Sequence, residues 1–91
     1  MNRYQIDFLP SARKELSSLP RDAQERIGKK IDFLSINPRP HGVEKLEGKR
    51  GSFYRLRVGD YRILYEIQDE ILLILVIKVG HRREVYRRMS S

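Results

Sequence analysis

The 91-residue chain contains no cysteine and no tryptophan, and only two histidines. Without cysteine there is no disulfide framework, no thiolate metal site and no thiol nucleophile, and such a chain suits the reducing cytoplasm. The longest uninterrupted apolar run, Ile71 to Ile77, has seven residues, against the roughly 20 that a membrane-crossing helix requires. The polar opening Met1-Asn2-Arg3-Tyr4 starts no secretory signal, so neither a membrane location nor export is expected. His41 and His81 lie in different segments and no acidic cluster has a metal-ligand spacing, so a metal nuclease is not expected and no cofactor is called for. No glycine-rich loop precedes a helix to cradle phosphates, and no serine sits in a nucleophile elbow, which removes nucleotide hydrolysis and acyl transfer.

What the chain has in excess is positive charge. Nineteen Lys and Arg against twelve Asp and Glu leave a formal net charge of +7, which puts polyanions first among possible partners. Hydrophobic residues at 40% suffice for one core, and the length fits a single domain over residues 1–91.

Tyr4, Ile6 and Phe8 alternate with Arg3, Gln5 and Asp7, the period of a strand with one buried face, over residues 3–8. Pro10 suits a first helical position, and Ala12, Leu16 and Leu19 follow at helical spacing, predicting a helix over 10–18 that Pro20 stops. Ala23, Ile27, Ile31 and Leu34 fall within about an 80° arc at 100° per residue, predicting an amphipathic helix over 21–36 and hence a helical hairpin. Two prolines and a glycine in Asn37-Pro38-Arg39-Pro40-His41-Gly42 open a long connection to Ser52. Strands follow over 53–58, 61–67 and 71–79, separated by Gly59-Asp60 and Gln68-Asp69-Glu70. The last is apolar on both faces and is expected at the centre of the sheet. A short helix is expected over 84–89. The order is βααβββα, an α+β fold in which a small antiparallel sheet carries the helical hairpin on one face and leaves the other partly open.

The excess charge is concentrated: residues 45–62 carry a net +4 and residues 81–91 a net +3. If Gly59-Asp60 is a two-residue turn, Val58 lies opposite Tyr61, Arg57 opposite Arg62, Leu56 opposite Ile63 and Arg55 opposite Leu64. Arg55, Arg57 and Arg62 then share one face, while Tyr54, Leu56, Val58, Tyr61, Ile63 and Tyr65 share the helix-facing side. Opposed arginines cost up to about 1 kcal/mol relative to a neutral pair. An anion between them removes that penalty, and the planar guanidinium fork grips phosphate through paired hydrogen bonds. A merely solvated sheet face, with arginine stems covering apolar surface, is the plainer alternative. After Gly80, His81-Arg82-Arg83 leaves the last strand near the level of Arg62. Histidine is the side-chain type that exchanges protons near neutrality, and Tyr86 is suited to stacking on a base.

Two blocks, Tyr54-Arg55-Leu56-Arg57-Val58-Gly59-Asp60-Tyr61-Arg62-Ile63-Leu64-Tyr65-Glu66-Ile67 and Val79-Gly80-His81-Arg82-Arg83-Glu84-Val85-Tyr86, together with Lys45-Leu46-Glu47-Gly48, resemble the RelE/ParE superfamily of bacterial and archaeal toxins. Within it the resemblance is to the RelE-type messenger-RNA interferases, and it spans nearly the whole chain. It implies a small sheet under a helical hairpin. It also implies metal-independent cleavage of messenger RNA in the ribosomal A site, the ribose 2′-hydroxyl attacking the adjacent phosphate, and a cytoplasmic toxin neutralised by a cognate antitoxin. Operator DNA would be bound only through that antitoxin.

By the same resemblance, catalytic roles fall on Arg55, Arg57, Arg62, His81, Arg82 and Tyr86, with Lys45, Lys49, Arg50 and Arg83 as surrounding RNA contacts. Some relatives carry lysines where this chain has Arg55 and Arg57. Arginine hardly serves as a base, which leaves that role to His81 or, less well, to Lys49, Glu44 or Glu47. Orientation by the ribosome is a further contributor. Two other functions share the scaffold or the charge: a ParE-like toxin that inhibits DNA gyrase without cutting, and a non-catalytic nucleic-acid-binding module.

Overall fold

The computed structural model describes residues 3–46 and 52–81. Its elements are β1 (Gln5–Phe8), α1 (Pro10–Ser17), α2 (Arg21–Leu34), β2 (Glu44–Leu46), β3 (Ser52–Val58), β4 (Tyr61–Gln68) and β5 (Leu73–His81), with a single 3-10 turn at Asp69–Ile71. The expected helix over 84–89 lies outside the described residues.

The strands form one sheet in the order β1-β5-β4-β3-β2. The pairs β2–β3, β3–β4 and β4–β5 are antiparallel, as a meander requires, whereas β1 runs parallel to β5. The sheet is therefore mixed, because alternation within a strand encodes its buried face but not its neighbour's direction. β4 rather than β5 is the middle strand, and β5 lies between it and β1. β2 has no signature in the sequence: three residues within a polar connection are too few to display a period.

Element ends depart from expectation for local reasons. α2 stops at Leu34 because the Ser35 hydroxyl donates to the Asp32 carbonyl at 2.6 Å, and the Ile36 and Asn37 amides turn back onto the Phe33 carbonyl, the competition by which serine ends helices. β5 starts at Leu73 because the 3-10 turn and a left-handed Leu72 (φ 51°) complete the reversal first. It ends at His81, in register with Tyr61.

The predicted helical stripe is the buried one. Ile27, Ile31 and Leu34 pack with Ala12 of α1 onto Tyr54, Leu56, Val58, Ile63, Tyr65, Ile67, Ile74, Val76 and Val79, and Ala23 is buried as well. Alternation then sends the remaining β3 and β4 side chains to the other face. Between Leu64↔Lys78 and Tyr65↔Val76 the β4–β5 register slips, leaving Ile77 as the extra residue of a bulge. Beyond that point β5 has outrun β1, and α1 covers its edge. The Glu15 carboxylate accepts the Val79 amide at 3.1 Å and the Lys78 ammonium at 2.7 Å.

Candidate functional site

The β3–β4 hairpin has the expected register: Val58↔Tyr61, Arg57↔Arg62, Leu56↔Ile63 and Arg55↔Leu64. Gly59 takes a positive φ of 60° while Asp60 does not, the pattern of a II′ turn whose twist matches the strands it joins. The two-residue turn fixes the register, and the register places Arg55, Arg57 and Arg62 on one face.

Arg62 is only 6% exposed, and its Nη1 donates to the Tyr61 carbonyl at 3.1 Å. Among the described residues neither Arg57 nor Arg62 forms an ion pair. A buried, unpaired guanidinium is costly to desolvate, so packing alone does not account for the arrangement. Glu44 of β2, the register partner of Arg55, accepts a hydrogen bond from Arg55 Nη2 at 2.7 Å. That hydrogen bond, the charge of Arg55, and the fields of Arg57 and Arg62 all hold the Glu44 carboxyl below the usual carboxylate range. The three guanidinium fields therefore converge on one place.

That place is a cavity of about 420 Å³, within the size range of small-ligand sites, whose wall includes Lys30 of α2, His41, Glu44, Arg55, Arg57 and Arg62. Four cationic residues line it against one carboxylate, so its charge favours an anion. Lys30 and Arg57 also line a second, more open groove with Arg26, Lys29 and Phe33. Positive charge thus runs from the cavity past the hairpin tip onto α2.

The segment carrying His41 is held at several points. The Tyr65 hydroxyl, stacked against Tyr54, donates to the Pro38 carbonyl at 2.7 Å, and desolvation pushes the Tyr65 hydroxyl well above the ordinary phenol range. Arg39 donates from Nε to the Tyr54 hydroxyl at 2.9 Å and from Nη2 to Asp69 at 2.8 Å, and Tyr4 donates to the other Asp69 oxygen. The Val43 amide then closes onto the Pro40 carbonyl at 3.1 Å, with Gly42 at φ 89°. This is the type II turn pattern, with His41 at its first corner.

The structure thus brings together three of the residues read from the sequence, Arg55, Arg57 and Arg62. It does not bring His81 to them. His81 pairs with Tyr61 and meets its ring edge-on, centroids 6.0 Å apart, and so lies on the face opposite Arg62. Lys45 pairs with Tyr54 and likewise shares the helix-facing side. Lys49, Arg50, Arg82, Arg83 and Tyr86 lie outside the described residues. The sequence pattern does not single out Lys30 or His41 for a catalytic role, and it offers Glu44 only as a weak candidate within a loop. Three residues are too few for Glu44 to announce a strand, and Pro40 and Gly42 signal a turn without marking His41 as part of the site.

A family model described as the ParE toxin of type II toxin–antitoxin systems matches residues 6–86. The mRNA interferase toxin RelE of Escherichia coli K12 is 35% identical over 86 residues, covering 91% of this chain and 90% of that protein. Toxin RelG of Mycobacterium tuberculosis is 31% identical over 86 residues, covering 93% and 98%. Among solved structures, the archaeal RelE–RelB complex of Pyrococcus horikoshii superimposes with a TM-score of 0.79 at 32% identity, covering 88% of this chain and 96% of that one. The isolated E. coli RelE toxin gives 0.75 at 32%, covering 96% and 95%. With its paired arginines on one face of a RelE-like sheet, the chain belongs to the RelE/ParE toxin superfamily.

Proposed function

We propose that this chain, as a single toxin domain, is an endoribonuclease of the messenger-RNA interferase type that works in the ribosomal A site. The observation that carries the reading is the Arg57–Arg62 pair, opposed in register, unpaired among the described residues, and converging with Arg55 on an anion-sized cavity. Cleavage by the 2′-hydroxyl builds charge on the phosphate as the 2′-oxygen adds and the 5′-oxygen departs. Fixed guanidinium groups stabilise that charge without reorganising. Arg57 and Arg62 fill that role, while Arg55, tied to Glu44, orients the carboxylate edge of the site. Arg82 and Tyr86 act with them at the RNA, and Lys49, Arg50 and Arg83 contact its backbone. His81 abuts Tyr61, supporting the end of β5 from which Arg82 departs.

The likeness to toxins in RelE–RelB complexes supports a cognate antitoxin as partner, with operator DNA bound only through it. Among the described residues no helix is long and apolar enough to cross a membrane, and action on translating ribosomes places the toxin in the cytoplasm. Programmed ribosomes, incubated with the protein with and without EDTA and followed by mapping of RNA ends, test the reading. New ends bearing 2′,3′-cyclic phosphate in both arms are expected, and intact messenger under saturating toxin would overturn it. Loss of cleavage with EDTA would overturn metal independence.

The match to a ParE family model favours a second reading, inhibition of DNA gyrase without cutting. Unimpaired supercoiling of a relaxed plasmid by gyrase in the presence of the toxin excludes it.

A further inference from the structure

We propose that His41 is the general base of the cavity, the group that takes the proton from the attacking 2′-hydroxyl; this rests on the nuclease reading above. The other side chains on the cavity wall are poorly suited to the task. Arginine hardly serves as a base, which sets aside Arg55, Arg57 and Arg62, and lysine in its ordinary form offers only donors, which sets aside Lys30. Glu44 has an oxygen occupied by Arg55 at 2.7 Å and sits in the field of three guanidinium groups, which lowers its basicity. His81, the imidazole expected from the sequence, sits against Tyr61 on the other face.

His41 has what these lack. Its imidazole has no hydrogen-bond or ion-pair partner among the described residues, it lines the cavity, and its backbone is fixed at the corner of a closed turn. The bonds from Tyr65 to Pro38 and from Arg39 to Tyr54 and Asp69 stiffen the chain leading into that turn, so the backbone that carries the exposed ring is already in place.

The step balances without a cofactor. Neutral imidazole accepts the 2′-hydroxyl proton as the 2′-oxygen bonds to phosphorus. The bond from phosphorus to the 5′-oxygen breaks, its electron pair leaves on that oxygen, and water supplies the proton. The imidazolium then returns its proton to the hydroxide so formed, leaving a 2′,3′-cyclic phosphate and a 5′-hydroxyl. The charged residues that line the cavity with His41 are Lys30 from α2, Glu44 from β2, Arg55 and Arg57 from β3 and Arg62 from β4. His81, the second imidazole, is unchanged in a His41 variant, so a rising limb present in the wild type and absent from such a variant is assigned to His41.

Single-turnover cleavage on programmed ribosomes from pH 6 to 8.5 tests the assignment with wild type, His41→Ala and His41→Gln. Wild-type rate should rise with pH and level off. Both variants should be slower by about 10²- to 10³-fold at pH 7.5 and lack the rising limb, and added imidazole should partly restore His41→Ala. The glutamine variant guards against a folding defect, with thermal melting as the check. A variant that keeps the wild-type rate, or is slow yet keeps the limb, overturns the assignment and leaves the nuclease reading standing. Wild-type protein that leaves the messenger intact overturns both.

Discussion

Arg57 and Arg62 are register partners across a two-residue hairpin, and Arg62 is 6% exposed. Two like charges held directly opposite each other store repulsion that the free protein does not need. Stability and activity should therefore move in opposite directions when that pair is changed.

Arg57→Thr removes a repulsion worth up to about 1 kcal/mol, so the melting temperature should rise by up to about 8 °C in a domain of this size. Cleavage should fall by about 10²- to 10³-fold, the usual loss on removing one charge-stabilising donor. Calorimetry and the ribosome assay read the two effects separately, and a variant both less stable and fully active would contradict the anion-site account.

Arg62→Ala should abolish growth arrest while circular dichroism remains that of the wild type. Inorganic phosphate should raise the melting temperature of the wild type more than that of Arg62→Ala, because the ligand stabilises only a fold that binds it. Equal phosphate effects in the two proteins would place the anion elsewhere.

Gly59 carries the positive φ of the hairpin turn, and a Cβ there would meet the Arg26 guanidinium at 3.4 Å. Gly59→Val should cost about 1–2 kcal/mol through left-handed strain, visible as a lower urea midpoint at unchanged slope. It should also reduce cleavage, since the turn sets the Arg57–Arg62 register.

Glu15 holds the Val79 amide, whose residue is 1% exposed, together with Lys78. Glu15→Leu leaves that buried amide without its acceptor and should destabilise the chain by about 1–3 kcal/mol. Hydrogen exchange at Val79 should accelerate relative to Ile63, and equal protection in variant and wild type would show that α1 does not seal the β5 edge.

Arg39 and Tyr4 hold the Asp69 carboxyl below its ordinary range through hydrogen bonds, and Arg55 does the same for Glu44. A depressed carboxyl contributes stability above its unfolded pKa, near about 4, and that contribution fades as pH falls through the lower folded value. Thermal melts from pH 6 to 2 should show a shallower acid decline for Asp69→Asn than for wild type. Identical slopes would mean that Asp69 binds protons alike in both states.

The residues themselves determined a good deal. The apolar stripe of Ala23, Ile27, Ile31 and Leu34 named the buried side of α2, because helical period and burial are one statement. Gly59-Asp60 determined the hairpin register, and hence the side on which Arg55, Arg57 and Arg62 stand, because a two-residue turn leaves only one way to pair its strands. Tertiary structure alone decided what meets those arginines. β2 is too short to show a period, yet its pairing carries Glu44 to Arg55. Bonds from Tyr65, Tyr54 and Asp69, distant in sequence, fix the Pro38–Gly42 segment and bring His41 to the cavity. His81, adjacent to the arginines by chain position, is turned away because an extended strand sends successive side chains to opposite faces, and its register partner is Tyr61 rather than Arg62.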